Sequence, residues 1–263
     1  MSYRATILGC GSSGGVPRIG TMWGACDPSN PKNRRTRCSA LIERIGKPRH
    51  TTVLIDTSPD LREQLLSVRC DALDGVLYTH DHADHTHGLD DVRAISRRRG
   101  GHLPMYGSAE TLASLTRKFA YLFDNSPPPP GSTKPEGTTH MLTAFEPVEI
   151  GDATVVPVPV PHGRTTVFGY RIGPLAYVTD AKSVPAPALD ALRGAKVLVI
   201  NALFRTAHPT HLSIPEAVRV AGEIGAERAY LTHLTHDYFH ADLEAELPRH
   251  VQPAFDGLTV RID

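Results

Sequence analysis

Residues 77–88 read LYTHDHADHTHG and set His80, His82, Asp84 and His85 within six positions, directly after a short apolar run. Imidazole nitrogens and a carboxylate each offer a lone pair, and the aspartate adds negative charge that offsets a divalent cation, so this density is that of a metal-ligand set. A polar turn with solvated histidines is the plainer reading of any one of them. Four such groups on one turn exceed what a solvated turn explains. Three further donors end other apolar runs: His162 after VPVP, Asp180 in AYVTD and His233 in AYLTH. Seven donors at four strand ends are too many for one tetrahedral ion and suit a two-metal site that activates a shared water.

Such donors need strands that stop where they stand. The runs SALIER, TTVLID, GVLYT, ATVVPVPV, TVFGYRI, LAYVTD, KVLVIN and RAYLTH are rich in β-branched residues and predict strands. Apolar spacing predicts helices over 61–68, 91–98, 109–119, 186–192 and 214–224, the last opened by a Ser213 cap with Glu216 completing a capping box. Strands and helices mixed in this order imply an α/β sandwich with mixed sheets. No low-complexity linker or internal repeat divides the 263 residues, so a single domain over 1–263 is expected. Residues 125–139, NSPPPPGSTKPEGTT, read as a long irregular loop, either an exposed connector or a lid.

The early stretch GCGSSGGVP spaces Gly9, Gly11 and Gly14 as G-x-G-x-x-G. A dinucleotide loop would open into a helix with an acidic strand end further on; here Arg18-Ile19-Gly20 follows and Asp27 sits in a turn-like segment. The loop is therefore read as backbone lining a pocket. Lys plus Arg equals Asp plus Glu, 28 against 28, which argues against a broadly positive nucleic-acid surface. Cys10, Cys26, Cys38 and Cys70 form no C-x-x-C pair, and no apolar span is long enough to cross a membrane. With no cleavable apolar region in MSYRATILGCG, a cytoplasmic protein without membrane contacts is expected. Arg205, His208 and His211 in FRTAHPTHLS, close to Asn201 at a strand end, suit an anionic phosphate ester; Asp91 and Arg93 in GLDDVR are further candidate substrate contacts.

The ordered set H-x-H-x-D-H, distant His, Asp and final His resembles the metallo-β-lactamase superfamily, and Asp56 in TTVLIDTSPD stands where that superfamily carries a strand-end aspartate. The resemblance implies an αββα sandwich of two mixed β-sheets flanked by helices, with a dinuclear site at one edge. It implies His80, His82 and His162 on one metal and Asp84, His85 and His233 on the other. Asp180 would bridge them, and Asp56 would orient ligands through hydrogen bonds. Three stretches, GCGSSGGVP, PHGRTTVFGYRI and THLS followed by a helix and YLTHLTHD, are similar to superfamily phosphodiesterases that open 5-phosphoribosyl 1,2-cyclic phosphate. The implied activity is hydrolysis of a small, cyclic or nucleotide-like phosphodiester by two divalent ions, zinc or manganese, through a bridging hydroxide. His211 and Asp180 are the implied catalytic residues, His211 as general acid. Those relatives bind an extra structural zinc through cysteines after the G-V-P and a late histidine; here only Cys26 and His236 remain, and no third metal is expected.

Two rival readings share the motifs. A tRNA 3′-processing endonuclease of the same superfamily would carry a long arm between His162 and Asp180, where this chain has room only for a hairpin. A non-catalytic biosynthetic accessory protein would carry a damaged ligand set. The expected partner is a small phosphodiester, with nucleic acid disfavoured and a homodimer compatible with the sequence.

Overall fold

The computed structural model describes residues 2–124, 126–128 and 130–263. Its first half runs β1 (Ser2–Gly9), β2 (Ser39–Ile45), β3 (Thr51–Ile55), α1 (Leu61–Ser67), β4 (Gly75–Leu77), α2 (Ala83–Thr86), α3 (Arg93–Arg99), β5 (Leu103–Gly107), α4 (Ala109–Lys118), α5 (Ala120–Phe123) and β6 (Gly137–Met141). The second half runs β7 (Val148–Ile150), β8 (Ala153–His162), β9 (Thr165–Ile172), β10 (Leu175–Val178), α6 (Ala186–Leu192), β11 (Val197–Asn201), α7 (Ile214–Ile224), β12 (Arg228–Thr232), α8 (His240–Glu246), β13 (Val251–Pro253) and β14 (Thr259–Ile262).

These strands form two seven-stranded sheets, ordered β14-β1-β2-β3-β4-β5-β6 and β13-β12-β11-β10-β9-β8-β7. Both sheets are mixed. Alternation along single strands explains the layering, because successive side chains of a strand face opposite ways. In β11, Val197 and Val199 pack into the apolar layer that also holds Ile7, Ile42, Ile55 and Leu77 of the other sheet, while Leu198 and Ile200 pack with Ala217 and Val220 of α7. In β3, Val53 and Ile55 join the inter-sheet layer and Leu54 packs with Leu61 and Leu65 of α1. Three apolar layers thus separate four structural layers, helix, sheet, sheet and helix, and the expected αββα sandwich is what forms.

Topology then selects one edge. Strands β3, β4, β5 and β6 run parallel to one another, as do β10, β11, β12 and β13. Strand β8 is antiparallel to β9, which is antiparallel to β10, so β8 points the same way as β10. Their carboxyl ends therefore gather at one rim, where a loop can aim side chains between the sheets. Two bonds fasten the sheets at that rim: the Phe168 amide of β9 donates to the Thr79 carbonyl (2.9 Å), and the Tyr170 hydroxyl donates to the Tyr78 carbonyl (2.6 Å).

The helix at 214–224 forms with its Ser213–Glu216 capping box in place and Gly225 closing it at φ 75°. The expected loop 125–139 differs from its reading at its far end. Gly137 to Thr139 belong to β6, because the parallel edge of β5 offers backbone partners from Leu103 onward. Asn125 and Pro129 of that stretch lie outside the described residues. Thr133 accepts a hydrogen bond from Arg93 (3.0 Å) and Lys134 pairs with Asp124, so this part is tied to α3 and the end of α5, not over the histidine cluster. Among the described residues no helix is long and apolar enough to cross a membrane.

Candidate metal centre

Each donor stands at or just after the end of a strand on the shared rim. Asp56 follows β3, His80 lies three residues beyond β4, His162 ends β8, Asp180 lies two residues beyond β10, and His233 follows β12. The chain turns sharply at three of these points. Asp56, Asp180 and His233 have φ of 60°, 57° and 59°, a left-handed conformation that costs a non-glycine residue about 1 kcal/mol or more and is held by the packing around it. The short helix α2, entered from His82, turns Asp84 and His85 back toward the rim.

The side chains converge. Donor atoms of His80, His82, His162 and Asp180 form one group within 4.8 Å of one another, and those of Asp84, His85 and His233 form a second. Asp180 lies between them: Oδ2 is 3.8 Å from His80 Nε2 and 3.3 Å from His233 Nε2, and Oδ1 is 3.4 Å from His85 Nε2. Asp84 Oδ2 is 3.3 Å from His85 Nε2.

The donor set fits divalent ions on a test internal to the protein. Nε2 of His80, His85 and His233 is buried without a hydrogen-bond partner, although buried polar atoms are nearly always paired. A cation among them would take up those lone pairs. In His80, His85 and the neighbouring His162 Nδ1 is held, which fixes those rings' direction, whereas His233 Nδ1 has no partner either. His85 Nδ1 lies 2.7 Å from Asp56 Oδ2, His80 Nδ1 lies 3.0 Å from Thr79 Oγ1, and His162 Nδ1 donates to the Thr210 carbonyl at 3.0 Å. Asp56 is in turn fixed by the Thr79 amide and hydroxyl, both at 2.8 Å.

Electrostatics follow the same division. Burial pushes His80, His82 and His162 below the ordinary imidazole range, leaving them neutral with a lone pair to give. Against burial, the Asp180 and Asp56 carboxylates raise His85 well above that range, and against burial His233 and His85 hold Asp180 far below the usual carboxylate range. Two carboxylates among five imidazoles attract positive charge to the centre.

The expected substrate contacts are placed less uniformly. His211 joins the cluster: its Nε2 is 3.1 Å from Asp180 Oδ2, and its ring stacks on His233 with centroids 4.7 Å apart. His208 sits beside it, Nδ1 to Nδ1 3.3 Å, with Thr210 Oγ1 2.7 Å from His211 Nδ1. Asn201 is not a substrate contact. It is fully buried, and its amide spends both ends on the Ala181 backbone (2.8 and 3.1 Å), fixing the residue after Asp180. Arg205 also points elsewhere, its guanidinium forked onto Glu246 of α8 (2.8 Å to each oxygen) and lying over the Tyr238 ring. Asp91 and Arg93 line a groove of about 370 Å³ with Arg62 and Leu66, away from every histidine of the cluster, because Arg93 is held by Asp90 and the Thr133 carbonyl.

The glycine loop reaches the centre from below. Gly11 forms bridges with Arg37 and with Leu234, the residue after His233, and a Cβ on Gly11 would stand 2.7 Å from the Arg35 carbonyl. Nearby, the Cys26 thiol lies 3.2 Å from the Tyr238 carbonyl and 3.6 Å from that of His236. The wholly buried Arg35 reaches the same spot, donating to the Thr235 carbonyl (2.5 Å), the Tyr238 carbonyl (3.0 Å) and Cys26 Sγ (3.6 Å). Thr79, Thr210 and Arg35 escape the sequence reading. Thr79 and Thr210 carry a signal, each standing directly before a candidate histidine; Arg35 carries none, standing among Lys32, Arg34 and Arg37 with nothing in type or spacing to set it apart.

A family model described as "Beta-lactamase superfamily domain" matches residues 51–234, which span every donor of the cluster. A solved structure, described as a new diphosphatase from the PhnP family, is 38% identical, covers 100% of this chain and 98% of its own, and superposes with a TM-score of 0.90. The chain belongs to the metallo-β-lactamase superfamily, within its PhnP family. A curated relative of this superfamily member, named octanoyltransferase, from Porphyromonas gingivalis, is 37% identical over 99% of this chain. The chain spans about half that relative's length, 52%. The zinc-bound PqqB of Methylobacterium extorquens shares the metallo-β-lactamase fold, at 20% identity and a TM-score of 0.74, covering 98% of this chain and 99% of its own. The fold, the donor cluster and the family agree on a rim built to hold metal ions.

One consequence concerns Asp56. Replacing it in Asp56→Asn removes the carboxylate that holds His85 Nδ1 and the Thr79 hydroxyl. The expected result is a loss of about 10- to 100-fold in affinity for a metal ion, read by zinc competition against a chelating dye, with the fold retained by circular dichroism.

Proposed function

We propose that this chain is a phosphodiesterase acting on a small phosphodiester, cyclic or nucleotide-like, with two divalent ions per chain, zinc or manganese. The observation that carries this reading is the pair of donor groups joined at Asp180, with His211 on the same carboxylate. His80, His82, His162 and Asp180 would hold one ion, and Asp84, His85, His233 and Asp180 the other. When bound, the two ions supply a water acidic enough to attack phosphorus and positive charge for the phosphate oxygens. Asp56, Thr79 and the Thr210 carbonyl fix the imidazoles so that no reorganisation is needed as charge develops. His211 supplies the proton that the departing alkoxide needs. Burial lowers the His211 imidazole against the pull of Asp180, and an anionic phosphoryl group beside it favours the protonated ring.

The diphosphatase similarity supports phosphoanhydrides as further substrates, which make the same demand for a nucleophilic water and for positive charge at the phosphate oxygens but, expelling a phosphate, rely less on His211. The octanoyltransferase name supports a second reading, hydrolysis of an acyl ester or thioester. An alkyl chain needs an apolar channel, whereas the pocket beside His80 and His82 mixes the hydroxyls of Ser108, Thr111, Ser114 and Thr165 with the charges of Asp81, Glu110 and Arg117. That mixed lining offers no continuous apolar channel, which supports the phosphoryl reading over the acyl one. A tRNA substrate is disfavoured because only the hairpin β9–β10 lies between His162 and Asp180.

The test is a substrate panel on metal-reconstituted protein: a cyclic ribose phosphate, nucleoside cyclic phosphates, an aryl phosphodiester, a diphosphate diester, an octanoyl aryl ester and precursor tRNA. The expected result is turnover of small phosphodiesters with about two ions bound per chain, abolished by chelation and restored by manganese or zinc. Preferred turnover of the octanoyl ester, or trimming of tRNA with negligible turnover of small diesters, would overturn it.

A further inference from the structure

The His211 ring is held in its plane by two others. It stacks on His233 at an interplanar angle of 26° and meets His162 edge-on at 77°, with centroids 4.7 and 4.9 Å away. Such packing fixes the plane of an imidazole but not its flip, because a half-turn about the stem exchanges nitrogen for carbon with little change of shape. Hydrogen bonds at the two nitrogens must decide which edge faces the donor cluster.

At one edge Nε2 lies 3.1 Å from Asp180 Oδ2. A carboxylate only accepts, so Nε2 carries the proton, and Nδ1 of the neutral ring is left with a lone pair to satisfy. Its donor is the Thr210 hydroxyl, 2.7 Å away. His208 Nδ1 lies 3.2 Å from the same hydroxyl oxygen.

The direction of that hydroxyl is set by the chain around it. Thr210 presses its methyl against Gly163, where a Cβ would stand only 2.9 Å from Cγ2, so the missing side chain directly after His162 is what seats the methyl. With the methyl seated, the branched Cβ leaves Oγ1 one place to point. The backbone of the same residue is held as well, its carbonyl accepting from His162 Nδ1 at 3.0 Å. Residues 162–163 and 210–211 therefore interlock, and Thr210 touches a metal-ligand histidine with its carbonyl and His211 with its hydroxyl.

We propose that Thr210 is a positioning residue that fixes the flip and the tautomer of His211, keeping the Nε2 proton on the edge that faces the donor cluster. The consequence for turnover rests on the phosphodiesterase reading; the orientation of the ring does not.

Two substitutions separate hydroxyl from shape. Thr210→Val keeps a branched side chain over Gly163 and removes the hydroxyl, whereas Thr210→Ser keeps the hydroxyl and removes the methyl. The first readout, on zinc-loaded protein carrying 15N-labelled histidine at mildly alkaline pH, is the nitrogen spectrum of the His211 ring, assigned by its absence in His211→Ala. Wild type should show the Nε2-protonated tautomer alone, Thr210→Val a mixture of the two tautomers, and Thr210→Ser the wild-type pattern. The second readout is turnover. Thr210→Val should lower kcat for an alkyl phosphodiester by about tenfold with KM and metal content unchanged, should change kcat for an aryl diester little, and Thr210→Ser should restore the alkyl rate. A Thr210→Val ring that keeps the wild-type tautomer overturns the proposal, as does a loss shared equally by both esters or accompanied by loss of metal. If wild type turns over neither diester while the tautomer shifts in Thr210→Val and returns in Thr210→Ser, the phosphodiesterase reading falls and the role of Thr210 stands.

Discussion

His211→Ala is expected to keep its fold and the wild type's metal content while losing about a hundred- to ten-thousand-fold in kcat, the range for a positioned general acid. The geometry makes the experiment decisive because His211 occupies an ambiguous place. Its Nε2 lies 3.1 Å from Asp180 Oδ2, and its donor atoms group with those of Asp180 and His233 closely enough to ligate an ion. A ligand and an acid differ in what else they change. Loss of a ligand lowers metal content and affects all substrates alike. Loss of an acid leaves metal content intact and matters most when the leaving group is a poor one, since an alkoxide needs a proton as the bond opens and an aryl oxide needs little. The measurement is therefore kcat for an alkyl and an aryl phosphodiester with metal content determined on the same sample. A deficit that shrinks for the aryl ester fits the acid; a uniform deficit with metal lost assigns His211 to the metal centre. His208, 3.3 Å away through Nδ1, should matter less, because only its neighbour reaches Asp180.

Arg35→Met is expected to destabilise the protein by about 3 kcal/mol, read as a lowered midpoint in urea unfolding. The aliphatic stem is retained, so the loss reports the guanidinium. That group ties the early chain to the segment directly after His233 through the Thr235 and Tyr238 carbonyls and the Cys26 sulfur. Methionine leaves the Thr235 carbonyl without its donor and the Tyr238 carbonyl with only the weak Cys26 thiol, and an unsatisfied buried acceptor costs about 1–3 kcal/mol. Arg35→Lys should recover only part of the loss, since an ammonium lacks the fork that spans two carbonyls. An unchanged midpoint in Arg35→Met would show that water replaces the guanidinium and that the segment after His233 is secured elsewhere. In the resemblance drawn from sequence, a structural zinc joins these same two regions, which the Arg35 guanidinium also bridges.

The sequence alone picked out the histidines and aspartates that converge at the rim. Histidine and aspartate in HDHADH are legible without a fold because their density on one turn has no economical structural use, and His162, Asp180 and His233 are legible because each ends a β-branched run. The strands and the helices at 186–192 and 214–224 were equally readable, since period-two and 3.6-residue patterns and a capping box are local properties. Strands β1, β5, β6, β7, β13 and β14 escaped; all but β1 are short, and each lies where pairing with a neighbour, not composition, decides its state. Side-chain direction was the other limit. Asn201, Arg205, Asp91 and Arg93 have the right chemistry for a phosphate site, and their position in sequence gave no reason to reject them. Only tertiary structure shows Asn201 spent on the Ala181 backbone and Arg205 on Glu246, because those partners lie 20 and 41 residues away. Likewise Arg18, Arg35 and Arg37 look alike in sequence as exposed basic residues. Packing alone separates a hairpin arginine laid over Gly14, a buried cross-link and a cation pinned by Asp60, since each role depends on a neighbour that the chain brings back from a distance.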